Sequence, residues 1–572
     1  KMASMRRTAA GLWAIFALGT GAAAGAHLGT VSAATTALRV RMSGSHSAAA
    51  RRNVARASGA DRSLPDEYDL AVLGAGPTGV TAAVAASQRG RRVIVIDDPG
   101  SGAKLQVGGP SGLFSKALRD VSKRIQVSTL RSMGLLDTSI WAQVQSMCKE
   151  IALVETQNTV RKLQRSGVPR IQGAAAFSRT HDDGSLEVRC RMRDGTGLLV
   201  RAHNVLVATG SSAWPAPGIP LDGRRVFDSD SINRLTYMPK SVIITGSGII
   251  AIEFAKIFAA LDSHVTLLVR GDRLDSCLER FGMDGGFAGE VEASLAASNI
   301  EILFNAEVDA SSFVVPASLA APLSVRITQK GQQEALVREA CLYMLAAGRD
   351  ANTAHLNLDA VGASVDGRGN LEVDSRLCTA NPRVYGAGDV LGPPSLASTG
   401  VEQATAAVRA MFPAGNEELQ EAMEGGGVDP TALLSDKSRF PVGIWTTPEM
   451  AYFGLSPAQA VKDGRDVVEG VAKYADTLRG HVNRCSIGSL KLVVSEDDGA
   501  ILGVFIFGDE ACELVHYGME LVVGARTVFD VQNTLFAAVT FHECYKNAAD
   551  DAVAQLAAKS SPAFRRYEAV RM

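Results

Sequence analysis

Leu70-Ala-Val-Leu-Gly-Ala-Gly-Pro-Thr-Gly79 sets a short apolar run without alternation directly against a glycine turn. Such a run reads as a parallel strand covered on both faces. An Ala-rich helical segment follows to Gln88, Gly90 stops it, and Val93-Ile-Val-Ile96 is a second buried strand ending in Asp97. Strand, turn, helix, strand and terminal acid in that order form a complete βαβ unit. Gly74, Gly76 and Gly79 permit a tight turn and close approach of backbone to a pyrophosphate. The helix start supplies oriented N–H groups, and Asp97 can bond ribose hydroxyls.

The construction recurs about 170 residues later. Val242-Ile-Ile-Thr245 enters Gly246-Ser-Gly248-Ile-Ile-Ala251, a helical stretch runs from Ile252 to Leu261, and Val265-Thr-Leu-Leu-Val269 is the next strand. Two dinucleotide sites are therefore expected, the second using Gly246, Gly248 and Ala251. Arg270 and Arg273 follow its second strand, where an NAD-selective fold commonly places an acid. That composition favours a tolerated 2'-phosphate, hence NADP(H), and leaves NAD(H) open. Val205-Leu-Val-Ala-Thr209-Gly210 and Val384-Tyr-Gly-Ala-Gly388-Asp389 are two further strands entering small-residue turns.

The order GxGxxG, ATG, GxGxxA and GD, with a C-terminal α/β domain after it, resembles the class I pyridine nucleotide-disulfide oxidoreductases, the dihydrolipoamide dehydrogenase and glutathione reductase class. The likeness runs from Tyr68 to about Leu556. It implies FAD at the first turn, with Thr209 and Gly210 framing the flavin site and Asp389 bonding the ribityl chain. It implies NADP(H) or NAD(H) at the second turn and a homodimer completed by the last domain. Within the class, Leu345-Ala-Ala-Gly348-Arg-Asp-Ala-Asn-Thr353, Pro394-Ser-Leu-Ala-Ser398, Thr447-Pro-Glu449 and Gly508-Asp-Glu-Ala-Cys-Glu-Leu-Val-His516 are most similar to the soluble, Si-specific NAD(P)+ transhydrogenases.

The same resemblance fixes what is missing. Ser115-Lys116 sets the register of the redox cysteine pair, and Val107 and Gly112 stand at the two sulfur positions. Neither side chain can form a disulfide. Aligning Glu543 places Ala538 where a general-acid histidine would be; His542 reads as an ordinary structural or surface histidine, and His516, on an apolar-patterned segment after Gly508, as a packed one. Ile249 takes the place of an aromatic gate. The resemblance puts Lys116 beside flavin N5, paired with Glu253 from the helix after the second glycine turn. A buried ammonium there stabilises negative charge on reduced flavin, and the carboxylate orients it. Lys116 and Glu253 are accordingly the expected catalytic pair. Segment 105–113 and Ala538 also depart from the transhydrogenases, which keep a cysteine, a threonine and a tyrosine in those places.

The expected fold is α/β: two Rossmann-type dinucleotide-binding domains plus a C-terminal α+β dimerisation domain. Expected boundaries are a leader over 1–65, FAD domain 66–235, NAD(P) domain 236–360, FAD return 361–412, an inserted acidic, Gly-rich loop 413–438, and an interface domain 439–572. At 572 residues several domains are required. The net charge of -2 offers no basic footprint for nucleic acid. Eight dispersed cysteines form no metal-type cluster and read as mostly buried free thiols, and no metal is expected. No Asp or Glu precedes Asp61, while Arg6 and Arg7 lead an apolar stretch from Ala9 to about Ala26 and five more arginines follow among Ser and Ala by Arg56. This composition predicts a removed organellar leader, plastid or mitochondrial. The functional expectation is hydride transfer between NADPH and NAD+ through flavin. An NAD(P)H diaphorase with another acceptor and a catalytically degenerate flavoprotein subunit are the alternatives.

Overall fold

A computed structural model describes residues 67–98, 112–192, 194–413 and 439–571. The leader, residues 105–111 with Val107, and nearly all of the 413–438 insert lie outside the described residues.

In the first domain, Tyr68–Leu73 pairs in parallel with Val93–Asp97 on one side and Gly197–Val207 on the other. Val384–Gly386 adds beyond Gly197–Val207, and Arg170–Thr180 begins beside Val93–Asp97. Both long strands, Arg170–Thr180 and Gly197–Val207, then leave the parallel sheet to form an antiparallel meander with Leu186–Met192. The first strand carries no polar face because both faces are covered. Ala71 and Leu73 join one core with Val188 and Leu371, and Leu70 and Val72 join another with Ala82 and Ala404. Each fully buried Leu or Val among them contributes about 1.5–3 kcal/mol.

The second domain is a five-stranded parallel sheet in the order Ile300–Phe304, His264–Val269, Ser241–Thr245, Leu342–Leu345, Val226–Asp228. Strand pairing places the junctions earlier than the turn signals imply. Val226–Asp228 belongs to the second sheet, although it precedes the expected boundary at 236. Arg349–Ala351 pairs with Ser211–Ala213 of the first domain, and Leu356 packs in its core, ahead of the expected return at 361. Three-residue strands carry too little periodicity to announce themselves. Pairing decides where they go.

The third domain is an antiparallel sheet ordered Val442–Ile444, Glu449–Gly454, Ile501–Gly508, Ser489–Ser495, Val467–Lys473. Asp498-Gly499 turns the hairpin between Ser489–Ser495 and Ile501–Gly508, with Gly499 at φ +74°. Helices Ala511–Val523 and Glu543–Ala558 close its core through Leu514, Val515, Tyr545 and Ala549. Among the described residues, no helix is long and apolar enough to cross a membrane.

Candidate functional site

The two glycine turns are built alike. Gly74 has φ +110° and Gly246 has φ +139°. A Cβ on Gly74 would collide with the Ala208 carbonyl oxygen, and one on Gly246 with that of Ala346. Each turn is thus wedged against the strand end behind it, and only glycine meets both demands. The last small residue of each motif is equally close-packed: a Cβ on Gly79 would strike the Gly74 carbonyl, and the Ala251 methyl lies 3.4 Å from the Gly246 Cβ position. Helices Pro77–Gln88 and Ile249–Ala260 begin at Gly76 and Gly248 with no side chain capping their N–H groups. Those donors, with the helix dipole, suit a pyrophosphate. Among the described residues no side chain approaches the Cβ position of Gly76, so the first cradle fits the FAD pyrophosphate.

Asp97 sits differently from its expected ribose role. It is buried, its Oδ1 accepts from Ala75 N at 3.0 Å, and its Oδ2 accepts from Arg170 Nη2 at 3.0 Å. It pins the glycine turn from below because the strand's last in-register side chain points inward. The next residue, Asp98, lines a shallow cleft with Gly74, Thr209, Asn352 and His355. The cleft lies at the carboxyl ends of the parallel strands, where such folds bind ligands.

Thr209 and Gly210 are tied to the connection from the second domain. Thr209 Oγ1 donates to Asn352 O at 2.8 Å, Asn352 Nδ2 returns a bond to Thr209 O at 3.0 Å, and Asn352 N donates to Gly210 O at 2.9 Å. Gly348 turns the chain at φ +144°. Arg349 then donates to Ser211 Oγ at 2.9 Å and to Asp230 Oδ1 at 2.9 Å. Ser211 Oγ in turn donates to Asp389 Oδ2 at 2.8 Å. The Thr209-Gly210 and Gly388-Asp389 turns are thereby held by one polar chain, Asp230–Arg349–Ser211–Asp389. Gly388, at φ +82°, donates its N–H to the buried Gln403 and abuts Thr78 of the first helix. Asp230 escapes sequence reading, and Arg349 and Asn352 enter it only within the 345–353 stretch that carries the family likeness, without a role. The Gly348-Arg349 dipeptide at a strand end is the signal that points to them.

Lys116 and Glu253 do meet. Lys116 Nζ lies 2.5 Å from Glu253 Oε1, between helices Leu113–Arg124 and Ile249–Ala260, which pack together. The carboxylate side chain is 3% exposed and the lysine 36%. The ammonium thus reaches from a buried anchor toward open space. Three residues on, Arg119 fastens the same helix to the third domain, donating to Glu449 Oε1 at 2.7 Å and Thr446 O at 3.1 Å and lying over Trp445. Gly112 caps the lysine helix, and a Cβ there would meet only Ser115 Oγ, at 3.8 Å. All eight cysteines are free, five of them buried, and none precedes Cys148.

The remaining expected residues divide. Arg270 is exposed at the end of its strand. Arg273 is also exposed, but its guanidinium pairs with Asp275 at 2.7 Å, so part of its charge is already offset. Arg280, unremarked in the sequence, donates to Ser247 Oγ inside the second glycine turn at 3.3 Å. His542 sits partly buried at the start of Glu543–Ala558 against Tyr517 and Tyr545, an ordinary structural histidine. His516 is the opposite of its expectation. It lies exposed on the outer face of Ala511–Val523, because the buried face of that helix is taken by Leu514, Val515 and Gly518.

Comparison with known proteins agrees with this architecture. Residues 68–410 match the pyridine nucleotide-disulphide oxidoreductase family, and residues 440–549 match its dimerisation domain. Soluble pyridine nucleotide transhydrogenase of Mycobacterium bovis is 30% identical over 87% of this chain and 100% of its own. That of Hahella chejuensis is 30% identical over 84% of this chain and 97% of its own. In fold, the chain is similar to LpdA from Mycobacterium tuberculosis, at TM-score 0.69 and 21% identity, over 85% of this chain and 99% of that one. The flavoprotein disulfide reductase RclA from Escherichia coli superposes with TM-score 0.70 at 22% identity, over 85% and 99%. The chain therefore belongs to the pyridine nucleotide-disulphide oxidoreductase family, as a flavin-dependent NAD(P)H oxidoreductase using FAD and nicotinamide dinucleotides.

Proposed function

We propose that the protein is an NAD(P)+ transhydrogenase that moves hydride between NADPH and NAD+ without a redox-active disulfide. One observation carries the reading: the Lys116–Glu253 pair is intact, and the family resemblance sets Val107, Gly112 and Ala538 at the sulfur and general-acid positions, which supports an outlet without sulfur. When bound, FAD supplies a two-electron acceptor able to take hydride from one nicotinamide and return it to another. The chain holds the reactants. Gly74, Gly76, Gly79, Thr209, Gly210, Gly388 and Asp389 form the FAD cradle, and Gly246, Gly248, Ala251 and Gly348 serve the nicotinamide dinucleotide. Lys116 places positive charge where reduction accumulates negative charge, and buried Glu253 fixes the direction of that charge. Alignment of donor and acceptor supplies much of the remaining rate.

The names of the Mycobacterium and Hahella relatives support this outlet. Exposed Arg270, with no acid in its place at the strand end, supports NADPH as donor. The dimerisation domain, with Leu535 and Val523 exposed on it, supports a homodimer. Residues 1–65 we assign to a removed organellar leader, and N-terminal sequencing of the protein from its native cell tests this. The function is tested by steady-state assay with NADPH and thio-NAD+. Thio-NADH formation with parallel double-reciprocal plots, and no turnover with oxidised glutathione or lipoamide, is expected. Disulfide reduction, or reduction only of quinones or oxygen, overturns the reading.

A further inference from the structure

The two glycine turns differ at one place. At Gly76 the lane toward the backbone is open, with none of the described residues within 4 Å of the Cβ position. At Gly248 the same lane is closed: a Cβ there would lie 3.2 Å from Phe281 Cζ and 3.9 and 4.0 Å from the two flanking ring carbons, Cε1 and Cε2. The ring therefore points its para edge straight at Gly248. Gly248 has φ -82° and ψ 175°, ordinary extended backbone, so its lack of a side chain is needed for space and not for conformation. The second glycine of such a motif keeps that space for a pyrophosphate. In this structure an aromatic edge fills it, and that edge offers no hydrogen-bond donor to an anion.

The backbone behind the ring is fixed. Tyr452, from the third domain, donates its hydroxyl to the Phe281 carbonyl and stacks on Phe505. Gly282, at φ +86°, packs directly against the Tyr452 ring. The freedom that remains is rotation of the Phe281 side chain, which is only partly buried. The residue before it, Arg280, holds its guanidinium 3.3 Å from Ser247 Oγ and 3.4 Å from Cys277 Sγ. The bond to Ser247 is at the long end of the range, sulfur is a weak acceptor, and a phosphate oxygen is a stronger acceptor than either.

We propose that Phe281 is the gate of the nicotinamide-dinucleotide site and that Arg280 is a phosphate-binding residue of it. The ring must swing from Gly248 for the dinucleotide's pyrophosphate to reach the helix start, and Arg280 then moves from Ser247 to the phosphate. Tyr452 makes the third domain the anchor of this gate. The proposal rests on the assignment of the Gly246–Ala251 turn to the nicotinamide dinucleotide.

Calorimetric titration of the oxidised holoenzyme with NADP+ and NAD+ tests it, since neither reduces the flavin. Removing a ring that closes the site most of the time raises the competent fraction, so Phe281→Ala is expected to bind both coenzymes about tenfold more tightly. Phe281→Leu, which keeps apolar bulk but withdraws the para edge, gains in the same direction and serves if the alanine variant folds poorly. Arg280→Gln binds about tenfold more weakly, through loss of a charge-assisted bond. A tighter complex is an outcome that structural damage does not produce. Unchanged or weaker binding by both Phe281 variants overturns the gate, and unchanged binding by Arg280→Gln overturns the phosphate role. If the unmodified holoenzyme binds neither coenzyme, the assignment of the turn itself fails.

Discussion

Lys116 Nζ lies 2.5 Å from Glu253 Oε1, and the pair joins two helices 137 positions apart in the chain. One helix starts at Gly112, and the other starts at the second glycine turn. A charge couple in that position ties the second glycine-turn helix to the helix that the family resemblance sets beside the flavin. Replacing Lys116 by Met should slow flavin reduction by NADPH about 100-fold, the scale for removing a donor aimed at developing negative charge. FAD should be retained, and stopped-flow absorbance at the flavin band reads the rate.

The same substitution also strands a carboxylate that is 3% exposed. Because Lys116 is about a third open to solvent, screening reduces the cost to about 2 kcal/mol. Urea melts of Lys116→Met against the double variant Lys116→Met/Glu253→Leu check this. Stability should return in the double variant and activity should not.

Gly74→Ala and Gly76→Ala should separate folding from cofactor binding. The first puts a methyl into the Ala208 carbonyl at φ +110°. It should destabilise the chain by about 2–4 kcal/mol. The second meets no protein atom within 4 Å, so its chain should melt as the unmodified apoprotein does while holding less FAD. Flavin content per chain and thermal melts distinguish the two outcomes.

Lys256 predicts a pH signature. Its Nζ donates to Ser294 O, Ser294 Oγ and Ser298 Oγ, all at 2.8 Å, and burial pulls its pKa down to about 8 from an ordinary 10.5. Below about 8 both folded and unfolded chains carry the proton, and the folded chain bears the full cost of the buried charge. Between about 8 and 10.5 the unfolded chain binds more proton than the folded one, so stability rises with pH. Relative to Lys256→Met, the unmodified protein should therefore gain up to about 1.4 kcal/mol per pH unit across that window. Denaturant melts of both proteins between these limits read the difference.

Three thiols should be inert. Burial pushes Cys148, Cys512 and Cys544 up to about 12, which keeps them protonated where an exposed thiol ionises. Thiolate is the reactive form. At pH 8 these three should resist Ellman's reagent in the folded protein and react on denaturation, with mass-spectrometric mapping to assign the sites.

How much of this is legible in the chain follows from the range of each interaction. The glycine turns and their strands are local: Tyr68–Leu73, Pro77–Gln88 and Val93–Asp97 follow from apolar runs and glycine punctuation within one βαβ unit. Lys116 and Glu253 come through resemblance, because nothing local in either segment announces a partner so distant. Asp97 shows where local reading fails. Its place after the strand implies a ribose ligand, but whether its side chain points in or out is set by pleat register, and it turns to Ala75 and Arg170. The chain from Asp230 through Arg349 and Ser211 to Asp389, and the Tyr452 contact with Phe281, depend on tertiary pairing of short strands and loops. They carry no periodic signal. His516 misleads for a related reason, since its helix is apolar on one face and the histidine lies on the other.

The central claim is that flavin held beside Lys116 exchanges hydride with two nicotinamides and no sulfur. Anaerobic mixing of the holoenzyme with NADPH, followed by NAD+, tests it most directly. Bleaching of the oxidised flavin band by NADPH and its recovery on addition of NAD+ is the predicted result. A flavin that bleaches but is not reoxidised by NAD+, or that neither coenzyme bleaches, contradicts it.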